Sequence, residues 1–336
     1  MNKIKYILLF ITLIFFKVSY TQDIHFSQFN SSPLNLNPAL TGSFDGNYRF
    51  AANFKNQWQS ITVPYRTFSA SLEKKITLKK NFFGIGFLVN ADKAGDSEFG
   101  TTQGKLSFSY GRYLSNDSSF SASIGANISY NQNSINYNHL NFGSQYSNGQ
   151  FDPGLSNNEN FKNNSFYFID YSAGINFNYL INHKLPLSFG AGFTHLNKPE
   201  QSFYEEQLSQ LERKYNFHFT IELKVTESIH FIPGVVYYKQ GKFQEIDYGG
   251  LFKSKLNSAT FHNFYFGGWI RHKDAFIADI CFDYQNMNIG ISYDINTSKL
   301  RTASNGFGGI EISLIYIFYK KHVLNIPYIK QCPAFM

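Results

Sequence analysis

The eleven residues Tyr215 to Val225, YNFHFTIELKV, alternate apolar and polar without an error. Successive side chains on a strand point to opposite faces, so this run reads as a long strand with one oily and one wet side. The same pattern recurs along the chain. Tyr48, Phe50, Ala52 and Phe54 alternate with Arg49, Asn53 and Lys55, and Phe120 to Tyr130 and Tyr171 to Tyr179 alternate with Ser, Asn and Gly between them. Ten further segments begin near Phe68, Phe82, Lys105, Pro186, His230, Ile246, Asn263, Ala275, Asn288 and Gly309, which makes fourteen.

These runs cover about 9–13 residues, whereas strands of soluble proteins average about 5–6. At ~3.3 Å per residue and a tilt near 40°, about ten residues cover ~25 Å, the apolar height of an outer-membrane barrel. Lipid offers no hydrogen bonds to an open sheet edge, so a spanning sheet must close on itself. The expected fold is all-β: a transmembrane antiparallel β-barrel of the bacterial outer membrane, about fourteen strands, with the Phe/Tyr/Ile/Leu row facing lipid and the Ser/Asn/Gly/Thr row facing the lumen.

The connections carry a second signal. In the first half, long ones (NQWQSITVPY, NADKAGDSEFGTTQ, Asn131 to Ser165, Thr194 to Glu212) alternate with short ones (SNDSS, INHKL, TES). Long outer loops and short periplasmic turns are the habit of bacterial barrels, with both termini in the periplasm. The contrast fades in the second half. Tyr204 to Lys214, with Leu208 and Leu211 three apart, is expected as a short loop helix, either simply solvated or holding a partner with its two leucines.

Composition agrees. Aromatic residues make up 18 %, with 37 Phe and 23 Tyr, and both types suit a pleated, half-buried surface. Charged residues are only 16 %, below the usual quarter. Lys3 and Lys5 precede an apolar core, Tyr6 to Phe16, with Ser19 and Thr21 before a cut ahead of Gln22. That is the pattern of a secretory signal peptide, too short for a membrane span. The formal net charge of +7 falls once Lys3, Lys5 and Lys17 are removed, too mild an excess to argue for nucleic acid. The expected division is residues 1–21 signal peptide, 22–45 N-terminal periplasmic or plug segment, 46–320 barrel and 321–336 periplasmic tail.

No constellation for chemistry stands out. The nine histidines include no HExxH or paired spacing, so no metal or cofactor is expected. GSFDG lacks the strand–turn–helix context of a nucleophile elbow, and GIGFL and GAGFT are strand glycines with no helix behind them. His139, Asp152, His195 and Glu205 could supply a rim hydrolase, but polar loops yield such lists by chance, and no catalytic residue is assigned. Cys281 and Cys332 cannot form a zinc site alone, and an exported chain leaves their pairing open.

The residues just past the signal segment resemble the mature N-terminus of the PorP/SprF family of type IX secretion system membrane proteins. The resemblance rests on Asp23, Phe26, Ser27, Gln28, Leu34, Asn37, Pro38, Ala39 and Gly42, then on Asn56, Gln57 and Trp58 with Pro64 and Thr67. SYDINTSKL (with Asp294), GGIEISLIY (with Glu311) and CPAF (with Cys332) resemble its C-terminal signature. Ile24 and Ala334 stand where the family usually has proline and arginine. The resemblance implies a non-enzymatic Bacteroidetes outer-membrane barrel working with other type IX subunits to export adhesins and gliding proteins or retain them at the surface. The implied partner is the C-terminal domain of the cargo, with outer-membrane lipid around the wall. Its docking residues would lie on the outer loops: Gln57, Trp58, Tyr65, Tyr146, Phe151, Asp152, Phe203, Tyr204, Leu208 and Leu211. A channel or transporter for small solutes is the alternative use of the same polar lumen. Residues 22–45 could plug that lumen, meet periplasmic subunits or hang free, but Phe26, Phe29, Leu34, Leu36 and Leu40 look meant for burial.

Overall fold

A computed structural model of the chain describes residues 23–59, 63–147, 149–156, 163–203, 209–299 and 301–320. Fourteen long antiparallel strands follow one another around a closed sheet: β1 (Tyr48–Gln57), β2 (Tyr65–Leu78), β3 (Asn81–Ala94), β4 (Phe99–Tyr113), β5 (Phe120–Ser134), β6 (Ser165–Ile181), β7 (Leu185–Thr194), β8 (Lys214–Ile221, continued by Leu223–Lys224), β9 (Ile229–Gln240), β10 (Phe243–Lys255), β11 (Phe261–Arg271), β12 (Ala275–Tyr284), β13 (Met287–Asn296) and β14 (Phe307–Phe318). Closure comes from β1 pairing with β14, Tyr48 opposite Phe318 and Gln57 opposite Gly309. Each strand the alternation predicts is present.

The alternation sets the faces. On β8, Asn216 and His218 are buried inward while Phe217 is 49 % exposed on the outer wall. On β2, Ser69 and Ser71 are buried and Phe68 and Leu72 face out. The outer wall therefore carries the oily row that a bilayer requires.

One part of that reading needs correction. From β9 to β12 the inward row is also apolar in places: Val236, Tyr238, Trp269 and Ile277 are buried in the lumen, around Phe29 and Leu36 of the N-terminal segment. Strands apolar on both sides read as near-continuous runs, FIPGVVYY and AFIADICF here, in which period 2 alone does not tell the inward row from the outward one.

Two loops are also redrawn. Strands β3 and β4 run through most of NADKAGDSEFGTTQ and leave a turn at 95–98, where Gly95 takes a φ of +66°. In the 195–213 loop, Ser209–Gln210 pairs with Glu200–Gln201, and Leu211 N–H donates to the Pro199 carbonyl at 2.9 Å. Residues 209–213 are thus extended rather than helical, because cross-loop pairing satisfies their backbone, while 204–208 lie outside the described residues.

One rim, where β1 begins and β14 ends, bears the turns. The opposite rim bears the longer connections 58–64, 135–164, 195–213 and 297–306. In bacterial barrels the turn rim with both termini is periplasmic and the loop rim is outside.

Candidate functional site

The lumen is occupied by residues 23–45. Asp23 sits near the loop rim, beside the ends of β7, β8 and β9, and the segment descends to Phe44, bonded to Lys75 Nζ near the turn rim at 2.7 Å. Pro33–Leu36 forms one helical turn and Pro38–Leu40 another, because proline has no N–H to lose at the first helical position. Asn37 caps the second turn, its Oδ1 accepting from Ala39 N–H at 2.9 Å, and its amide donates to the Ile175 carbonyl of β6 at 2.9 Å.

Short turns leave many backbone groups unpaired, and the wall supplies partners. The backbone N–H groups of Ser27 and Gln28 donate to the two oxygens of Glu311 on β14, at 2.8 and 3.0 Å. Ser27 Oγ donates to Asp294 at 2.9 Å and receives Lys55 Nζ at 3.0 Å and Arg271 Nη2 at 2.9 Å. Gln28 donates to Ser292 and accepts from Ser313. Arg271 closes the cage with a 2.9 Å bond to Asp294 and approaches Asp247 at 3.5 Å. Further down, Arg49 bridges Glu73 at 2.7 Å and the Leu40 carbonyl at 3.1 Å, while Glu73 accepts from Gly42 N–H.

On the other side the segment abuts the wall directly. The Thr41 carbonyl lies against Gly84, the Pro38–Ala39 peptide against Gly125, and the Asn37 amide against Gly174, each close enough that a Cβ there would collide. Ser109 donates to the Thr41 carbonyl and Ser123 to the Ala39 carbonyl.

Gln28, Asn37, Pro38, Asp294 and Glu311, far apart in sequence, thus meet across one interface. Asn56 stays apart, its amide donating to Gln59 Oε1 at 3.2 Å. Cys332 lies outside the described residues, and Cys281 is a buried thiol donating to Asp279. Lys55, Arg271, Glu73 and Arg49 are the interface residues missed in sequence. Charges on an otherwise Ser/Asn inner row, at Lys55, Asp294 and Glu311, were the available signal, since lone charges are rarely buried without partners.

The residues proposed for docking fall into separate groups at the loop rim. Trp58, held at a φ of +58°, meets Tyr65 edge-on at 4.7 Å, next to Gln57 at the end of β1. Phe203 packs edge-on against Phe166 at 4.8 Å and lies near Phe99 and Tyr137, which joins loop 195–213 to loop 135–164. Tyr146 and Phe151 pair at 5.6 Å on a small ribbon, both largely exposed, and Asp152 turns the chain by accepting from Gly154 N–H. Leu211 is half-buried at the base of its loop; Tyr204 and Leu208 lie outside the described residues.

His195 and Asp23 tie the top of the segment to this rim. His195 is buried, 2.9 Å from Asp170 and 3.3 Å from Asp23, and Lys214 stands 3.5 Å from Asp23. Burial opposes protonation of His195, but the Asp23 and Asp170 carboxylates carry it up to about 9. Burial would raise the Asp23 carboxyl, yet Lys214 and His195 hold it well below the usual carboxylate range. His139 is on an exposed turn. Among the described residues, no group of three His, Cys, Asp or Glu is placed to hold a metal ion.

Comparison with solved structures finds barrels of the same architecture. The Ralstonia pickettii toluene transporter TbuX is 9 % identical, with 84 % of this chain and 92 % of that chain covered at a TM-score of 0.51. The CymD monoaromatic hydrocarbon channel is 11 % identical, with 88 % and 95 % covered at a TM-score of 0.51. A Pseudomonas aeruginosa FadL homologue is 10 % identical, with 84 % and 93 % covered at a TM-score of 0.51. At such identities the likeness concerns the outer-membrane barrel fold alone. No curated protein matches the sequence. The family model described as type IX secretion system membrane protein PorP/SprF matches residues 18–316, nearly the whole chain. The chain therefore belongs to the PorP/SprF family of type IX secretion system membrane proteins.

Proposed function

We propose that this outer-membrane barrel is a non-enzymatic docking component of type IX secretion. It binds secreted cargo of the adhesin or gliding type, through a C-terminal domain, for export or retention at the surface of a Bacteroidetes-like cell. A signal peptide at residues 1–21, outside the described residues, would deliver the chain to the periplasm. The observation that carries the reading is the pairing of a lumen filled by residues 23–45 with a loop rim rich in aromatic side chains. The Phe99–Tyr137–Phe166–Phe203 cluster joins two long loops, and Tyr146 and Phe151 stand exposed on one of them, 135–164. Rigid aromatic anchors amid Asn, Ser and Gly suit a protein-binding surface.

The test is capture of surface cargo from detergent-solubilised outer membranes by the tagged barrel. Replacing residues 136–163 with a short Gly/Asn linker spares β5 and β6, whose ends are joined in the intact barrel from Ile135 N–H to the Asn164 carbonyl at 2.9 Å. It should abolish capture while the barrel stays folded. Capture that survives the replacement, or a wide steady conductance of the intact protein in planar bilayers, would instead favour the solute channel.

A further inference from the structure

Two cations face each other on the outer wall. Arg66 on β2 stands directly opposite Lys93 on β3. Both belong to the outward row: their neighbours Thr67 and Asp92 turn inward and bond to each other at 2.5 Å, while Arg66 and Lys93 are exposed. Among the described residues, no other cross-strand pair sets Lys or Arg opposite Lys or Arg.

Like charges directly opposite on neighbouring strands repel and weaken the sheet. Little in the wall offsets this. Lys93 Nζ lies 3.6 Å from Glu98 Oε2, but the two side chains are 69 % and 45 % exposed, and ion pairs so open to solvent contribute little. Arg66 has no ion pair among the described residues. An anion between the two would turn repulsion into attraction. Phosphate suits the place, because the guanidinium fork can grip two of its oxygens while the ammonium takes a third.

Height on the wall identifies the anion. Phe83, Ile85, Phe87, Val89 and Ala91 form the outward row of β3, and Lys93 follows at its loop-rim end. About ten tilted residues, the span from Phe83 to Lys93, cover the ~25 Å apolar band, so the pair stands at the outer edge of the hydrocarbon. Trp58 and Tyr65, in edge-on contact at 4.7 Å, lie beside it, and aromatic rings of this kind favour the headgroup level. The loop rim faces outward, where the outer leaflet of a Gram-negative cell presents the phosphates of lipid A. Below the cations, Phe68, Leu72 and Phe87 are exposed for the acyl chains to lie on.

We propose that Arg66 and Lys93 clasp a phosphate of lipid A, a lipid site that operates whether or not the loops hold cargo.

The test uses the full-length barrel folded in detergent micelles, with heat-modifiability on gels as the check of folding. Diphosphoryl lipid A is titrated in, and native mass spectrometry counts the molecules held per barrel. The unaltered protein should bind about tenfold more tightly than Arg66→Gln/Lys93→Gln, the scale expected for two cations beside an anionic lipid surface. Lipid A stripped of its phosphates should bind the unaltered protein about tenfold more weakly, and no better than it binds the double variant. Lys239→Gln removes another exposed outward cation at the loop rim, one set opposite Tyr215 and Gln244, and should leave binding unchanged. Before lipid is added, the double variant should melt no lower than the unaltered protein, because it has shed a repulsion; with lipid A, only the unaltered protein should gain. Arg66→Gln alone serves if the double variant does not fold. Equal binding by the two proteins, indifference to the lipid's phosphates, an equal loss in Lys239→Gln, or displacement by equimolar inorganic phosphate would each overturn the proposal. A double variant less stable than the unaltered protein before lipid is added would do the same.

Discussion

The two halves of the wall hold the same N-terminal segment by opposite means. From β3 to β6 the inner face is small: glycines at 84, 125 and 174 let the backbone of residues 37–41 lie against the sheet, and Ser109 and Ser123 bond its carbonyls. From β9 to β14 the inner face is large. Trp269 meets Phe29 edge-on at 5.0 Å, and Arg271, Asp294, Glu311 and, across the seam, Lys55 cage Ser27 and Gln28. One side is fitted by removing side chains, the other by filling space and pairing charge. The fitted side tolerates no added atoms, and the filled side tolerates no lost ones.

The charged side should break most severely. Arg271→Met would strand Asp294, Asp247 and Glu245 without their shared cation, and removing one partner of a buried pair costs about 3–5 kcal/mol. Urea unfolding of barrels refolded into vesicles should show that loss. A drop below about 1 kcal/mol would mean the cage is not what holds the filled side. Phe29→Ala should cost about 3 kcal/mol, the low end for a buried Phe, because a neighbouring cavity of about 200 Å³ already thins the packing there.

On the fitted side, Gly125→Ala should cost about 1–3 kcal/mol by overpacking, since its methyl would strike the Pro38–Ala39 backbone. Gly104→Ala, with nothing within 4 Å of the added atom, is the matched control and should be near neutral. Equal effects at the two glycines would erase the distinction between the halves.

The smallest effect concerns the top of the segment. His195 has its folded pKa raised from 6.5 to about 9, so its contribution is fully present below about pH 6.5 and is lost as pH rises through 9. Asp23, depressed in the folded state, keeps its contribution throughout that range. Thiol labelling of Ile24→Cys, with both native cysteines replaced by serine, should therefore quicken between pH 6.5 and 9 by more than that of the same cysteine in the denatured protein, whose thiolate fraction rises over the same range. A folded-to-denatured rate ratio flat across that window would show that the His195–Asp23–Asp170 cluster does not pin the segment.

Much of the fold was legible because lipid enforces a local rule. A strand between bilayer and lumen must alternate, and YNFHFTIELKV or FSASIGANISY shows it without reference to any other strand. The rule failed where its premise failed: Trp269, Ile277 and Val236 face a lumen that is oily because Phe29 and Leu36 are there. The YEEQLSQLERK stretch misled for a related reason, since the pairing of Ser209–Gln210 with Glu200–Gln201 depends on a second segment of the same loop.

The candidate site divides in the same way. Gln28, Asn37, Asp294 and Glu311 were marked by family resemblance, but nothing local says that Ser27 and Gln28 N–H groups will find Glu311. The sequence by itself determined the strands, their number and, outside β9 to β12, which face meets lipid, because period-2 hydrophobicity is a property of each strand alone. Only the tertiary structure decided that residues 23–45 run down the lumen from loop rim to turn rim. It also decided which wall residues receive them, because those contacts arise only once fourteen strands have closed and brought charges hundreds of residues apart within hydrogen-bonding distance.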